Sequence, residues 1–123
     1  MKFFLKIVRN LLGIIIAIAD LATRGRNLKR STEAQTEVDK ASQNLVLYQF
    51  FAYPFCIKTR RALYKLNLPI EKRNATEGSE HRQALLEGGG QVKVPCLRIE
   101  KAGQVTWMYE SSEIIRYLEK RFG

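Results

Sequence analysis

The stretch that decides the fold is "LVLYQFFAYPFCIKTRRALYKL", residues 45–66. Its first six residues, Leu45–Phe50, are strongly apolar with a β-branched and aromatic bias, the pattern of a buried strand. Pro54 then stands where a first helical turn accepts a proline. Ile57, Ala62, Leu63 and Leu66 follow at helical spacing. A buried strand running into a helix opens an α/β unit. The join carries Tyr53 and Cys56, and a cysteine near a helix start is a candidate redox thiol.

Downstream, "PIEKRN" (69–74) predicts a short second strand. "SEHRQALLE" (79–87) predicts a helix with Ser79 as N-cap, closed by Gly88–Gly90. "VPCLRIE" (94–100), "KAGQ" and "VTWMY" (105–109) predict a hairpin. Ser111 is expected to cap a last helix, in which Ile114, Ile115, Leu118 and Phe122 share one face. The order is β-α-β-α-β-β-α. A right-handed crossover makes the first two strands parallel neighbours, so one mixed four-stranded sheet lies between helix layers.

Upstream, residues 1–30 are dominated by an apolar run, Phe3–Ala22, interrupted by Lys6, Arg9, Asn10 and Asp20. Twenty helical residues span about 30 Å, the thickness of a bilayer core. A spanning anchor is one reading. A helix lying in the interface is another, because Lys6 and Arg9 sit one turn apart and can form a polar edge. A cleaved signal peptide, suggested by Ala17 and Ala19, and a core helix are the others. Basic residues lie before the unbroken core of the run, Leu11–Ala19 (Lys2, Lys6, Arg9), and after it (Arg24, Arg26, Lys29, Arg30), so charge barely decides orientation. Residues 31–44 are polar, with Val38 as their one large aliphatic, and suggest a linker or loosely helical tether. The division is therefore residues 1–30, a membrane-associated helix with a basic flank; 31–44, a linker; and 45–123, a globular domain.

The 123 residues carry a net charge of +9. Residues 1–44 hold eight Lys/Arg and four Asp/Glu, a net +4, and residues 45–123 hold thirteen and eight, a net +5. A basic balance suits nucleic acid, anionic lipid or small anions, and no nucleic-acid motif is present. Cys56 and Cys96 form neither a disulfide framework nor a zinc spacing. Metal is not expected. Two lone cysteines fit a reducing compartment, which favours a cytoplasmic globular domain on a bacterial inner membrane.

Three motifs in this order resemble a glutaredoxin, or equally the N-terminal domain of a glutathione transferase. "YPFC" (53–56) stands where glutaredoxins carry Cys-Pro-Tyr/Phe-Cys. "VKVPCL" (92–97) resembles the strand that meets a Val-cis-Pro. "ESSEIIRYLEKRF" (110–122) resembles the transferase Glu-Ser-x-x-Ile-x-x-Tyr-Leu helix start. The resemblance implies a thioredoxin-like, glutaredoxin-type three-layer α/β fold over 45–123. It also implies glutathione as ligand. The backbone of Val94 would pair with its cysteinyl part, Pro95 would be cis, and Glu110 and Ser111 would hold its γ-glutamyl ammonium and carboxylate. A helix N-terminus suits that carboxylate on physical grounds too.

The departures bear on chemistry. Tyr53 replaces the nucleophilic first cysteine, and Phe50 stands where a basic residue usually precedes it. Cys56, the second cysteine, is kept. One expectation is therefore a weakened, membrane-held thiol-disulfide oxidoreductase in which Cys56 exchanges with glutathionylated protein. The alternatives are a non-catalytic module binding glutathione or a peptide, and a transferase-like domain in which the Tyr53 hydroxyl meets the glutathione sulfur. Transferases of this kind add an all-helical domain, which the chain ending at Gly123 is not expected to supply. Oligomeric state is left open. Lys58, Arg60 and Arg61 either concentrate anions near Cys56 or form a solvated face. Cys96 is expected in the core, His81 in solvent and Trp107 in the hairpin core.

Overall fold

The computed structural model describes Lys2–Thr23, Gly25 and Asn27–Gly123. Arg24 and Arg26, part of the expected basic flank, lie outside the described residues. The elements in chain order are α1 (Lys2–Thr23), α2 (Thr32–Ser42), β1 (Leu45–Gln49), α3 (Pro54–Lys65), β2 (Glu71–Asn74), α4 (Glu80–Gly89), β3 (Cys96–Lys101), β4 (Gln104–Tyr109) and α5 (Ser111–Phe122). From β1 onward the order is the expected one.

The four strands form one sheet in the order β2-β1-β3-β4. β1 and β2 are parallel, pairing Val46 with Glu71, as the crossover rule requires. β3 runs antiparallel to β1, with Tyr48 opposite Cys96, and β4 antiparallel to β3, with Cys96 opposite Tyr109. Ala102 and Gly103, both at positive φ, make the two-residue turn between β3 and β4.

Alternation along β1 builds two cores. Leu45 and Leu47 point to one face, where Leu63 of α3, Leu97 of β3 and Ile114 and Leu118 of α5 meet them. Val46 and Tyr48 point to the other, against Leu85 of α4 with Val94 and Cys96. Burying each large aliphatic side chain contributes about 1.5–3 kcal/mol, so both sheet faces are covered and stabilised.

Residues 31–44 are more ordered than a linker. The Ser31 hydroxyl accepts from the Ala34 N–H at 3.2 Å and caps α2. Val38 and Ala41 pack on the first core. Arg30 donates to the Phe122 carbonyl at 2.7 Å, tying this region to the end of α5. The expected end of α4 also moves: the helix runs through Gly88 and Gly89, and Gly90, at φ 87°, closes it. The reason is packing, because a Cβ at Gly88 would collide with the Trp107 ring and one at Gly89 with the Tyr109 hydroxyl.

The spanning anchor is not supported. Among the described residues no helix is long and apolar enough to cross a membrane. Every 18-residue stretch of α1 carries three of Lys2, Lys6, Arg9 and Asp20. Instead α1 lies on the domain. At about 100° per residue, Lys6, Arg9, Asn10, Gly13, Ala17 and Asp20 share one arc. Gly13, Ala17 and Asp20 on that arc are buried. Asp20 pairs with Arg61 of α3 at 3.0 Å. At Gly13 a Cβ would collide with the Ala52 carbonyl oxygen, so only glycine allows this approach. The opposite arc, with Phe4, Val8, Leu11, Ile15 and Ile18, is exposed.

Candidate functional site

Four chain segments converge at one end of the sheet: the end of β1, the start of α3, the start of β3 and the junction of β4 with α5. The β1–α3 loop is held by a residue that the charge pattern concealed. Arg60, only 7% exposed, donates to Gln49 Oε1 at 2.9 Å and to the Phe51 carbonyl at 2.6 Å. Its guanidinium also lies 5.2 Å from the Phe51 ring centroid. Arg60 therefore braces the loop, whereas sequence suggested a rim cation or a solvated face. Arg61 is taken up by Asp20, and Lys58 is exposed.

Tyr53 is the residue before α3, and its carbonyl accepts from the N–H groups of Cys56 and Ile57 at 3.0 Å each. Its side chain is 39% exposed, and its ring packs 5.4 Å from that of Phe55. Pro54 is the first helical residue, as expected.

Cys56 differs sharply from its neighbour. It is fully buried, and Sγ accepts the Phe50 N–H at 3.4 Å. Burial pushes its pKa up, partly offset by that N–H and by the Arg60 charge. The neutral thiol is favoured, and a thiol attacks disulfides poorly. Cys96 is buried as expected and pushed up to about 12, again by burial.

The Val94–Pro95 bond is cis. Both residues are buried, and β3 begins just after them. Ser111 does not cap α5. Glu110, at φ 71°, is the capping residue and Ser111 the first helical one. Glu110 is not solvated alone but ion-paired with Lys93. Ser111 is 7% exposed, and its hydroxyl makes no hydrogen bond among the described residues. The first-turn N–H groups of α5 have no acceptor within the helix.

A cleft of about 860 Å³ runs past this site. Phe50, Ala52, Tyr53, Pro54 and residues 92–94 line its domain side. Arg9, Asn10, Leu12, Gly13 and Ile16 of α1 line the other. Cys56, Glu110 and Ser111 are not among its walls. The structure thus brings Tyr53 and Val94 together on the cleft, ties Glu110 to Lys93 beside Val94 in the chain, and keeps Cys56 behind the loop. His81 borders a separate depression of about 500 Å³ between β2 and α4, with Glu71, Lys72, Arg73 and Glu80 around it. Among the described residues no group of three His, Cys, Asp or Glu could hold a metal ion.

A mixed β2-β1-β3-β4 sheet with helices on both faces, and a cis Val94–Pro95 bond just before β3, defines a thioredoxin-like α/β protein. The family described as "Glutathione S-transferase, N-terminal domain" matches residues 47–123. That is more than half of the chain, and the chain belongs to this family. An epsilon-class glutathione S-transferase from the housefly, Musca domestica, is 28% identical, covering 64% of this chain and 35% of that one, with a TM-score of 0.52. Maleylacetoacetate isomerase from Anaeromyxobacter dehalogenans, solved with glutathione in its active site, is 23% identical, covering 64% and 38%, with a TM-score of 0.51. Glutathione transferase Omega 3C from Trametes versicolor is 22% identical, covering 77% and 42%, with a TM-score of 0.51. The chain spans between 35% and 42% of the length of these structures. No curated protein matches it in sequence.

Proposed function

We propose that the chain binds glutathione across the Val94–Pro95 backbone, with the sulfur toward Tyr53 and the γ-glutamyl end toward Glu110 and the first turn of α5. The observation that carries this reading is the placement of Tyr53, Val94 and Ser111 around one end of the sheet, in a family defined by glutathione chemistry. The ligand of the isomerase neighbour supports it. An extended backbone beside Val94 suits strand-like pairing with a peptide. A free Ser111 hydroxyl and free helix N–H groups suit a carboxylate. Lys93 competes with the ligand's ammonium for Glu110, so binding there requires that pair to open.

The burial and raised pKa of Cys56 move the reading away from one-cysteine exchange with glutathionylated protein. They move it toward a binding or transferase-like role centred on Tyr53. Glutathione added to the labelled full chain should shift amides around Tyr53, Val94 and Ser111. Ser111→Ala should weaken binding by about 1 kcal/mol, the scale of one such hydrogen bond. No shift at millimolar ligand would sink the reading.

We further propose that α1 holds the domain on an anionic membrane surface, without spanning it. The support is its exposed apolar arc, with Lys6, Arg9, Asn10 and Asp20 on the opposite side. The two reduced, buried cysteines suit the cytoplasmic side. Sedimentation with phosphatidylglycerol vesicles should retain the chain, and Ile15→Asp should release it. Equal retention of both would remove the proposal.

A further inference from the structure

Twelve of the eighteen exposed large hydrophobic side chains among the described residues stand on α1. The helix lies outside the stretch of residues 47–123 that matches the family. A contiguous apolar surface of this extent marks a contact with protein or membrane. Along its outward arc Phe4, Val8, Leu11, Ile15, Ile18 and Ala22 follow at steps of four, three, four, three and four. That is the spacing of a coiled-coil seam, with Val8, Ile15 and Ala22 at the a positions and Phe4, Leu11 and Ile18 at d. The row covers fewer than three heptads, and a straight helix drifts only about 20° in each, so it stays on one stripe. A bilayer surface accepts any order of apolar residues on such an arc. A second helix is more selective, and β-branched side chains at a with leucine at d suit two parallel strands.

We infer that, off the membrane, two copies of the chain pair in parallel through this seam of α1. Gly13, Ala17 and Asp20 seat the opposite arc on the domain, so the seam faces away from it and the two domains stand on the outside of the pair. The positions flanking the seam carry Leu5, Leu12, Ile7 and Ile14, none of which repels its own image. Lys6, Arg9 and Asp20 lie off the seam, on the side of the domain. One stripe cannot face lipid and a second helix at once, so pairing and membrane attachment exclude each other. That exclusion rests on the membrane reading above, whereas the pairing does not.

The test is sedimentation equilibrium of the full chain over a dilution series without lipid. Twice the mass of one chain should appear. Ile15→Asp should raise the dissociation constant at least about tenfold by setting a charge in the seam. Ile15 is 60% exposed in the single chain, so the domain tolerates the change. Val105→Asp, at an exposed position of β4, should pair like the parent chain. Register is read with Phe4→Cys and a short bismaleimide, since Cys56 and Cys96 are both buried. Parallel helices bring the two introduced thiols together and should crosslink, whereas a centred antiparallel pair holds them roughly 25 Å apart. Phosphatidylglycerol vesicles should suppress the crosslink as they retain the chain. A monomer at every concentration overturns the pairing and leaves the membrane reading standing. A dimer untouched by Ile15→Asp, or a mass above two chains, overturns pairing of two copies through this seam, and a dimer that fails to crosslink overturns the parallel register. Dimers that vesicles do not retain overturn the membrane reading alone. Retention with the crosslink undiminished overturns the exclusion.

Discussion

Tyr53 and Cys56 lie one helical turn apart, and the fold treats them oppositely. One is on the cleft and the other behind it. A cysteine placed at Tyr53 would stand in front of the first N–H groups of α3. There the thiol pKa falls toward roughly 3.5–7.5, against about 8.5 for a free cysteine. Tyr53→Cys should therefore raise reduction of a small mixed disulfide by glutathione at least tenfold, and Cys56→Ser in the parent chain should change little. Fast turnover by the parent chain that is lost in Cys56→Ser would make Cys56 the nucleophile after all. The Tyr53 departure was legible in "YPFC". The burial of Cys56 was not, because it depends on the Phe50 N–H reaching back across the loop. Arg60 was misplaced for a related reason. Nothing in "KTRRA" says which of two adjacent arginines turns inward, and the choice is made by the Gln49 and Phe51 acceptors.

Among the elements, local signals served best where a residue satisfies its own backbone. Ser79 caps α4 as its sequence predicts, accepting the Arg82 N–H at 3.1 Å. Pairs distant in sequence were hidden. Gly88 and Gly89 suggested a helix stop, but their role is to let α4 lie under Trp107 and Tyr109 of β4. Gly88→Ala should raise helix propensity by about 1 kcal/mol in isolation. Here the Trp107 ring makes it destabilising instead, by about 1–3 kcal/mol. Urea denaturation measures the sign, and a stabilised variant would refute the packing described. In α2, two modest apolar residues, Val38 and Ala41, suffice to dock a helix that composition marked as a tether. In α1, the shared arc of Lys6, Arg9, Asn10 and Asp20 was available from a helical projection. The partner of that arc was not.

For the whole molecule, the order of elements from β1 to α5 followed from periodicity, turn residues and the crossover rule. Two buried thiols give the assembled fold a dependence on pH. Cys96 is pushed up to about 12, while an unfolded cysteine titrates near 8.5. Between these values the unfolded chain binds fewer protons, so stability falls as pH rises. The contribution is fully present below about pH 8.5 and is lost toward pH 12. Cys96→Ala should show a shallower decline of its urea midpoint between about pH 8.5 and 10.5 than the parent chain. Identical slopes would place the Cys96 thiol in solvent.

The hairpin turn at Ala102–Gly103 sits at the end of β3 opposite Cys96. Six strand residues at about 3.3 Å each put roughly 20 Å between that turn and the cis proline. A fluorophore or short epitope inserted there would report on the protein from outside its working end. Glutathione titrations of such a tagged chain should superimpose on those of the untagged one, which makes this turn the natural handle for immobilising the domain with its cleft left open.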